Sequence, residues 1–442
     1  EEWLPDVFKE SSWSHVQKYA ELRANATPVY VGNLFDFVFD GQAHIVKDAQ
    51  PDDAPMGFIG QEPDVGFAAI GPWVGTDAET RTELRAVGES LLPGGARAGE
   101  YVESLVGADV TLRGFPVEAF AESDGSVEAE GCVARPRISA TDEGVLVACE
   151  NENGGVSLLQ GGKIVREEDG RMPALDGDVM AWVTPNRHIG VRNADGTIDA
   201  TIEAQNAWLP DVADGETVHV AWVGLDGNTK VWVARGPDFV PKRLDASPIT
   251  VPDPLGNQWS PAIAARGDRV AVAFTAFAST SWDVYLAESD DGGATFAEPR
   301  RIDDAGDRWE RLHADADLSF DADGALCVAW TDLRDRRPHP TARWSQEPFA
   351  WSWPAGDETY PSWRPTFVVG AGTGVGLGAE LVWQALRGGS NDVMRSIGDD
   401  LVAIAGDQWS PRAAVGPDGA THLVWEDSRT GERRVRMLTT PP

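Results

Sequence analysis

Seven short segments of this chain align without gaps, and that internal repetition limits what it can fold into more than any other feature. They read VLVACE (145–150), DVMAWV (178–183), VHVAWV (218–223), VAVAFT (270–275), LCVAWT (326–331), AELVWQ (379–384) and THLVWE (421–426). Their fifth positions hold Cys149, Trp182, Trp222, Phe274, Trp330, Trp383 and Trp425, spaced 33 to 56 residues apart. Segments this short, β-branched and bounded by turn residues read as strands, and the spacing is that of one four-stranded unit.

A second element precedes each segment, a Trp-x-Pro-like step that opens an apolar run. It reads Trp208-Leu209-Pro210, Trp259-Ser260-Pro261, Trp309-Glu310-Arg311, Trp363-Arg364-Pro365 and Trp409-Ser410-Pro411, with weaker copies at Arg135-Pro136 and Met172-Pro173. Turn signals such as Pro417-Asp418-Gly419 and Gly267-Asp268 lie between the two elements, so each unit begins with a hairpin. A hairpin-based unit of this length cannot close its own core, so several must stack around an axis. The expected fold is all-β, a β-propeller of seven blades over residues 132–442, with a nonrepeating region, 1–131, that closes or caps the ring. An eighth blade is the other reading of that region, in which 29–39 and 108–120 look like strands and 79–92 like a short helix. Most of the 18 Trp fall on the two repeated positions and are expected in the core between blades.

Composition narrows the partners. With 37 Lys+Arg against 71 Asp+Glu the net charge is −34, which repels nucleic acid and anionic membrane surfaces. No apolar run is long enough to span a bilayer. The acidic excess reads as a solvated surface, or as carboxylates that hold a cation, for which calcium is the natural choice. No loop has EF-hand spacing, and Asp321-Ala322-Asp323-Gly324 fits a hairpin turn better. No nucleotide loop, nucleophile elbow or HExxH is present, so no cofactor is expected beyond that calcium, and the metal content is open. The three Cys show no zinc or CxxC spacing. Cys132 and Cys149 would pair only in an oxidising compartment, and the repeat gives Cys149 a packing role instead. The sequence begins at Glu1 with no leader, as a mature or trimmed form would.

Three stretches carry a family resemblance: Ser289-Asp290-Asp291-Gly292-Gly293-Ala294-Thr295-Phe296, Asp407-Gln408-Trp409-Ser410-Pro411 and Trp330-Thr331-Asp332-Leu333-Arg334. The first fits the Asp-box pattern S-x-D-x-G-x-T-[WF]. Over residues 132–442 the chain resembles the bacterial neuraminidase-repeat, sialidase-like propellers. The resemblance implies a secreted or periplasmic protein that recognises a glycan or small molecule, with the Asp box a structural turn away from the site.

In a propeller the loop entering the innermost strand and the loop leaving the second strand open on one face. That face would receive Arg137, Arg311, Arg364 and Arg412 from the first set. From the second it would receive Glu150, Asp332, Arg334, Arg387, Glu426, Asp427 and Arg429. Converging guanidinium groups suit a ligand carboxylate; paired between neighbouring blades, the same charges would be structural. A retaining sialidase needs an Arg triad, a Tyr nucleophile activated by Glu, and an Asp acid. The resemblance assigns these to Arg137, Arg311 and Arg364, to Tyr360 with Glu358, and to Asp332. The family's Arg-Ile-Pro signature is absent, since Arg135-Pro136-Arg137-Ile138 holds similar residues in another order. His219 and His422 share a register with Cys327 and read as packed within blades, whereas His188 is placed to act as the base of a lyase. The expected function is recognition, with or without cleavage, of an acidic or neutral glycan at the open end of the channel. The alternatives are a binding or scaffold propeller without turnover, and an enzyme of unrelated chemistry completed by residues 1–131.

Overall fold

A computed structural model describes residues 125–245, 255–278, 281–303, 312–333, 340–356, 360–370, 380–387, 390–396 and 407–441, together with five short strands between residues 24 and 70. The chain divides into two compact units, Glu1–Phe115 and Pro116–Pro442. In the first, Ala24–Thr27, His44–Lys47 and Phe67–Ile70 form one antiparallel sheet, and Val31–Leu34 pairs with Phe37–Asp40. The helix expected at 79–92 and the strand at 108–120 lie outside the described residues.

The second unit is an all-β ring of seven antiparallel sheets. The innermost strands are Cys132–Thr141, Arg171–Asp176, Trp208–Asp214, Gln258–Arg266, Leu312–Phe320, Ser362–Phe367 and Gln408–Val415, in blades 1 to 7. Each repeated segment forms the second strand of its blade. The ring is closed by Val127–Glu128, which pairs with Arg434–Thr440 as the outermost strand of blade 7. The last blade is thereby built from both ends of this unit. Residues 321–324 form the expected hairpin turn, with Asp321 Oδ1 accepting from the Ala325 amide at 2.8 Å.

The repeated pair of residues at positions four and five explains the stacking. Neighbours in a strand point to opposite faces. Position five projects Trp182, Trp222, Phe274, Trp330, Trp383 or Trp425 toward the preceding blade. Position four presents Ala148, Ala181, Ala221, Ala273 or Ala329 to the following blade, or Val382 and Val424 in blades 6 and 7. A large ring therefore meets a small side chain at most interfaces. One buried apolar cluster fills each of the seven junctions, and the position-five aromatics are all at least 96% buried. At the junction of blades 7 and 1 the ring is replaced by Cys149, and two devices supplement the packing. Cys149 is disulfide-bonded to Cys132, with Cα atoms 5.7 Å apart, so the packing role expected for Cys149 is joined by a covalent one. Ala129, beside the closing strand, is buried in the same cluster.

Every inner strand carries a bulge at the Trp-x-Pro step. The residues Arg135, Met172, Leu209, Ser260, Asp315, Arg364 and Ser410 all have φ between 46° and 54°, a left-handed conformation costing about 1 kcal/mol or more in a residue with a Cβ. Proline follows in six blades and Ala316 in the fifth. This corrects the sequence alignment of blade 5. The step falls on Ala314-Asp315-Ala316, not on Trp309-Glu310-Arg311, because the backbone turns where the ladder shifts register and not at the nearest Trp. In four blades the bulge amide is held by the sixth position of the preceding repeat. Glu150 accepts from Met172 (2.9 Å), Thr331 from Arg364 (2.9 Å), Gln384 from Ser410 (3.1 Å) and Glu426 from Arg135 (2.9 Å). The polar ending of those segments thus has a structural reason.

Candidate functional site

Because the bulge recurs in all seven blades, it brings one column of side chains to the axis. Two residues beyond each left-handed residue stand Arg137, Ala174, Asp211, Ala262, Asp317, Thr366 and Arg412. All but Ala174, which is buried in the junction of blades 2 and 3, line an axial cavity of about 530 Å³ between the inner strands, which also receives Arg135, Asp315, Arg364, Glu426 and Arg433.

The charges in this column are distributed unevenly. Arg137 and Arg412, on adjacent blades 1 and 7, each donate to the carbonyl of their own preceding proline, at 3.1 and 2.9 Å. Among the described residues neither has a carboxylate within ion-pair distance. Burial, with Arg412 beside it, pulls the Arg137 guanidinium down to about 9, so it remains charged at neutral pH while lacking full solvation. An anion entering here would relieve that deficit. Across the cavity Asp211 accepts from the Ile263 amide and Asp317 from the Phe367 amide, each at 2.8 Å, so each spends one oxygen joining its blade to the next. Burial raises the Asp211 carboxyl to about 7, with Asp317 and Asp176 adding to the rise and the Ile263 amide and Arg137 opposing it. It is therefore a group poised to exchange a proton near neutrality.

Of the residues read from the sequence, Arg137, Arg364, Arg412 and Glu426 meet in the cavity. Arg364 donates to Ser410 Oγ at 2.7 Å and lies 3.9 Å from Asp315. Glu426 is buried between the Arg135 amide and the Arg433 guanidinium, which makes it a junction of blades 7 and 1. Asp332 and Asp427 are buried and do not line the cavity. Each accepts from the Trp two residues before it, Trp330 at 3.1 Å and Trp425 at 3.0 Å, and Asp427 is further clamped by the Arg429 guanidinium at 2.6 Å. Tyr360 stands exposed in the loop entering blade 6, also outside the cavity lining. Glu358, Arg311 and Arg334 lie outside the described residues. His188 is tied at Nδ1 to the backbone of Ala204, and His219 packs against the 289–296 turn, its Nε2 2.9 Å from the Gly292 carbonyl. In that turn Asp291 accepts from the Thr295 amide and hydroxyl, at 2.8 and 2.6 Å, at the end of blade 4 remote from the bulges.

The second group of tryptophans departs from the expectation that both repeated positions are core. Trp208, Trp363 and Trp409 are only half-buried and Trp259 is 37% exposed, because the bulge turns the residue before it out of the interface. Asp211 and Asp317 were not picked out from the sequence. The signal for them is their column: Asp211 stands three residues after Trp208 as Arg412 does after Trp409, whereas Asp317 joins the column only when the repeats are aligned on the bulge and not on Trp.

Among the described residues, one group places metal-type ligand atoms within 4.8 Å of one another: Asp283, Asp303 and His313, between blades 4 and 5. Arg301 already bridges there, 2.8 Å from Asp303 and 3.9 Å from Asp283. Against its burial, His313 and Arg301 hold the Asp303 carboxyl well below the usual range, as an ion network would.

Fold and site together define a seven-bladed β-propeller with a charged axial cavity. No protein-family model and no curated protein matches the sequence. Solved structures with a similar fold include sialidase- and arabinanase-like propellers. The β-propeller domain of the Trilobed protease from Pyrococcus furiosus is 11% identical, over 70% of this chain and 96% of that one, with a TM-score of 0.46. An α-L-arabinofuranosidase of Fusarium graminearum is 10% identical over 72% and 97%, TM-score 0.40, and a Hadza microbial sialidase 15% identical over 68% and 64%, TM-score 0.38. At such identities the likeness is one of fold alone. Among the described residues no helix is long and apolar enough to cross a membrane.

Proposed function

We propose that the protein is a sialidase-like propeller that recognises a carboxylate-bearing saccharide in its axial cavity. The observation that supports this most is the pair Arg137 and Arg412, half-buried in one cavity without a carboxylate within ion-pair distance among the described residues. Such a pair is electrostatically incomplete until an anion binds, and two guanidinium groups match the two oxygens of a carboxylate. The Cys132–Cys149 disulfide supports a secreted or periplasmic location, where such bonds persist.

Recognition without turnover is the form the geometry favours, since Asp332 and Tyr360 do not line the cavity with the arginines. One observation favours turnover, namely the Asp211 carboxyl raised to about 7 within reach of the same ligand space. In that reading Asp211, and not Asp332, is the acid. The test is to incubate the protein with sialosides, uronate oligosaccharides and neutral glycans, measuring binding by calorimetry and products by mass spectrometry. Binding of acidic members that disappears in Arg137→Ala/Arg412→Ala supports recognition. Equal binding of neutral members, or none at all, sinks it, and a product lost in Asp211→Asn establishes the enzyme.

A further inference from the structure

The ring places an aromatic surface opposite the arginine pair. Blades 7 and 1 carry Arg412 and Arg137; opposite that junction in a seven-membered ring stand blade 4 and, at its side, blade 3. Their inner strands open with Trp208 and Trp259, whose ring centroids lie 6.4 Å apart with planes inclined by 38°. The residues that follow them, Leu209 and Ser260, line the axial cavity; the two indoles adjoin that lining in the chain and are not themselves part of it. Arg187 of blade 2 lies 5.5 Å over the Trp208 ring and helps to hold that indole in place. Trp259 is left 37% exposed, and Phe277, 40% exposed, ends the adjacent strand at the same end of blade 4. The position-five aromatics fill the interfaces, whereas these rings hold apolar faces toward solvent beside a polar cavity.

From this arrangement, and resting on the carboxylate reading above, we infer that Trp208 and Trp259 form a second subsite that stacks on an uncharged sugar ring. The ligand is then an oligosaccharide of at least two units lying across the mouth, its carboxylate on the blade 7 and 1 side and its neutral ring on the blade 3 and 4 side. A pyranose has apolar C–H faces and a hydroxyl rim, which suits an indole shelf bordering charged groups. A ligand that carried only the carboxylate would leave the shelf unused.

Calorimetry with two pairs of probes tests this: sialic acid against sialyllactose, and glucuronic acid against cellobiouronic acid. In at least one pair the longer member is expected to bind the wild type about tenfold more tightly, the size of one good aromatic contact. Trp259→Ala should remove that difference while leaving the affinity for the monosaccharide unchanged, and Trp259→Phe should restore most of it. Equal affinity for both members in the wild type overturns the inference, as does a Trp259→Ala loss that is the same for both. Failure of the carboxylate reading looks different: no member of either pair binds the wild type, or Arg137→Ala/Arg412→Ala leaves every affinity intact, and the inference falls with it. Thermal melting of each variant separates loss of the shelf from loss of the fold.

Discussion

Between neighbouring blades the chain repeats itself closely, a ring at position five against a small residue at position four; two residues beyond each bulge the same repeat carries Arg, Ala, Asp, Ala, Asp, Thr and Arg in turn, and all but the first Ala face the axial cavity. Both regions sit on one scaffold a few residues apart. The interfaces repeat because every junction solves the same problem of volume and close packing. The cavity column diverges because its side chains face a common space where no shared packing rule applies. What repeats in this molecule bears on stability, and what varies within the repeat bears on ligands.

This contrast can be broken by experiment. The largest effect is expected from Trp222→Ala, which empties a fully packed junction and should cost about 3–5 kcal/mol in denaturant unfolding. If it costs less than a surface substitution, the knob-into-dimple account of the interfaces fails. At the junction of blades 7 and 1, where Cys149 replaces the ring, Cys132→Ser should cost about 3 kcal/mol, the chain-entropy value for a short closed loop. Reducing agent should lower the melting temperature of the wild type and leave that of the variant where it is. A cavity substitution should behave in the opposite way. Arg412→Ala is expected to leave the melting temperature within a degree or two, or to raise it, because it removes like-charge repulsion from Arg137; it should weaken binding of an acidic saccharide by roughly tenfold to a hundredfold, the range for a charged hydrogen bond. A large loss of stability would place Arg412 with the interfaces.

The smallest effect, and the sharpest, concerns pH. With its carboxyl raised to about 7, folded Asp211 holds a proton that the unfolded chain has already lost above its ordinary value, so this group's contribution to stability falls as pH rises toward 7. Ligand binding should follow the same sign. Below about 7 Asp211 is neutral and tolerates an incoming carboxylate; above it the charge repels, and affinity declines. Asp211→Asn should hold affinity level across pH 6 to 8, and a decline that persists in this variant would assign the titration to another group.

Much of the fold is written locally. Alternation of large and small residues, turn residues and a recurring length can be read one segment at a time, and they placed all seven second strands correctly. The site was legible only in part. Proline marks the bulges that carry Arg137, Arg364 and Arg412, and equally that of Asp211, which a search for converging arginines passes over; Asp315 and Asp317 are hidden because blade 5 has Ala316 in place of proline and a decoy Trp309 upstream. Asp332 and Asp427 looked like exposed loop carboxylates, yet each turns back to its own Trp indole, a contact that depends on side-chain direction and not on spacing.

By itself, then, the sequence determined the all-β class, the repeat and the side-chain volumes at the interfaces, since these depend on residues within a few positions of one another. Only the tertiary structure decided that Val127–Glu128 closes the ring, that Cys132 reaches Cys149, and that Arg137 and Arg412 stand together although 275 residues separate them. The physical reason is ring closure. It brings the first blade against the last, and no local pattern records which charges that junction will force into one cavity.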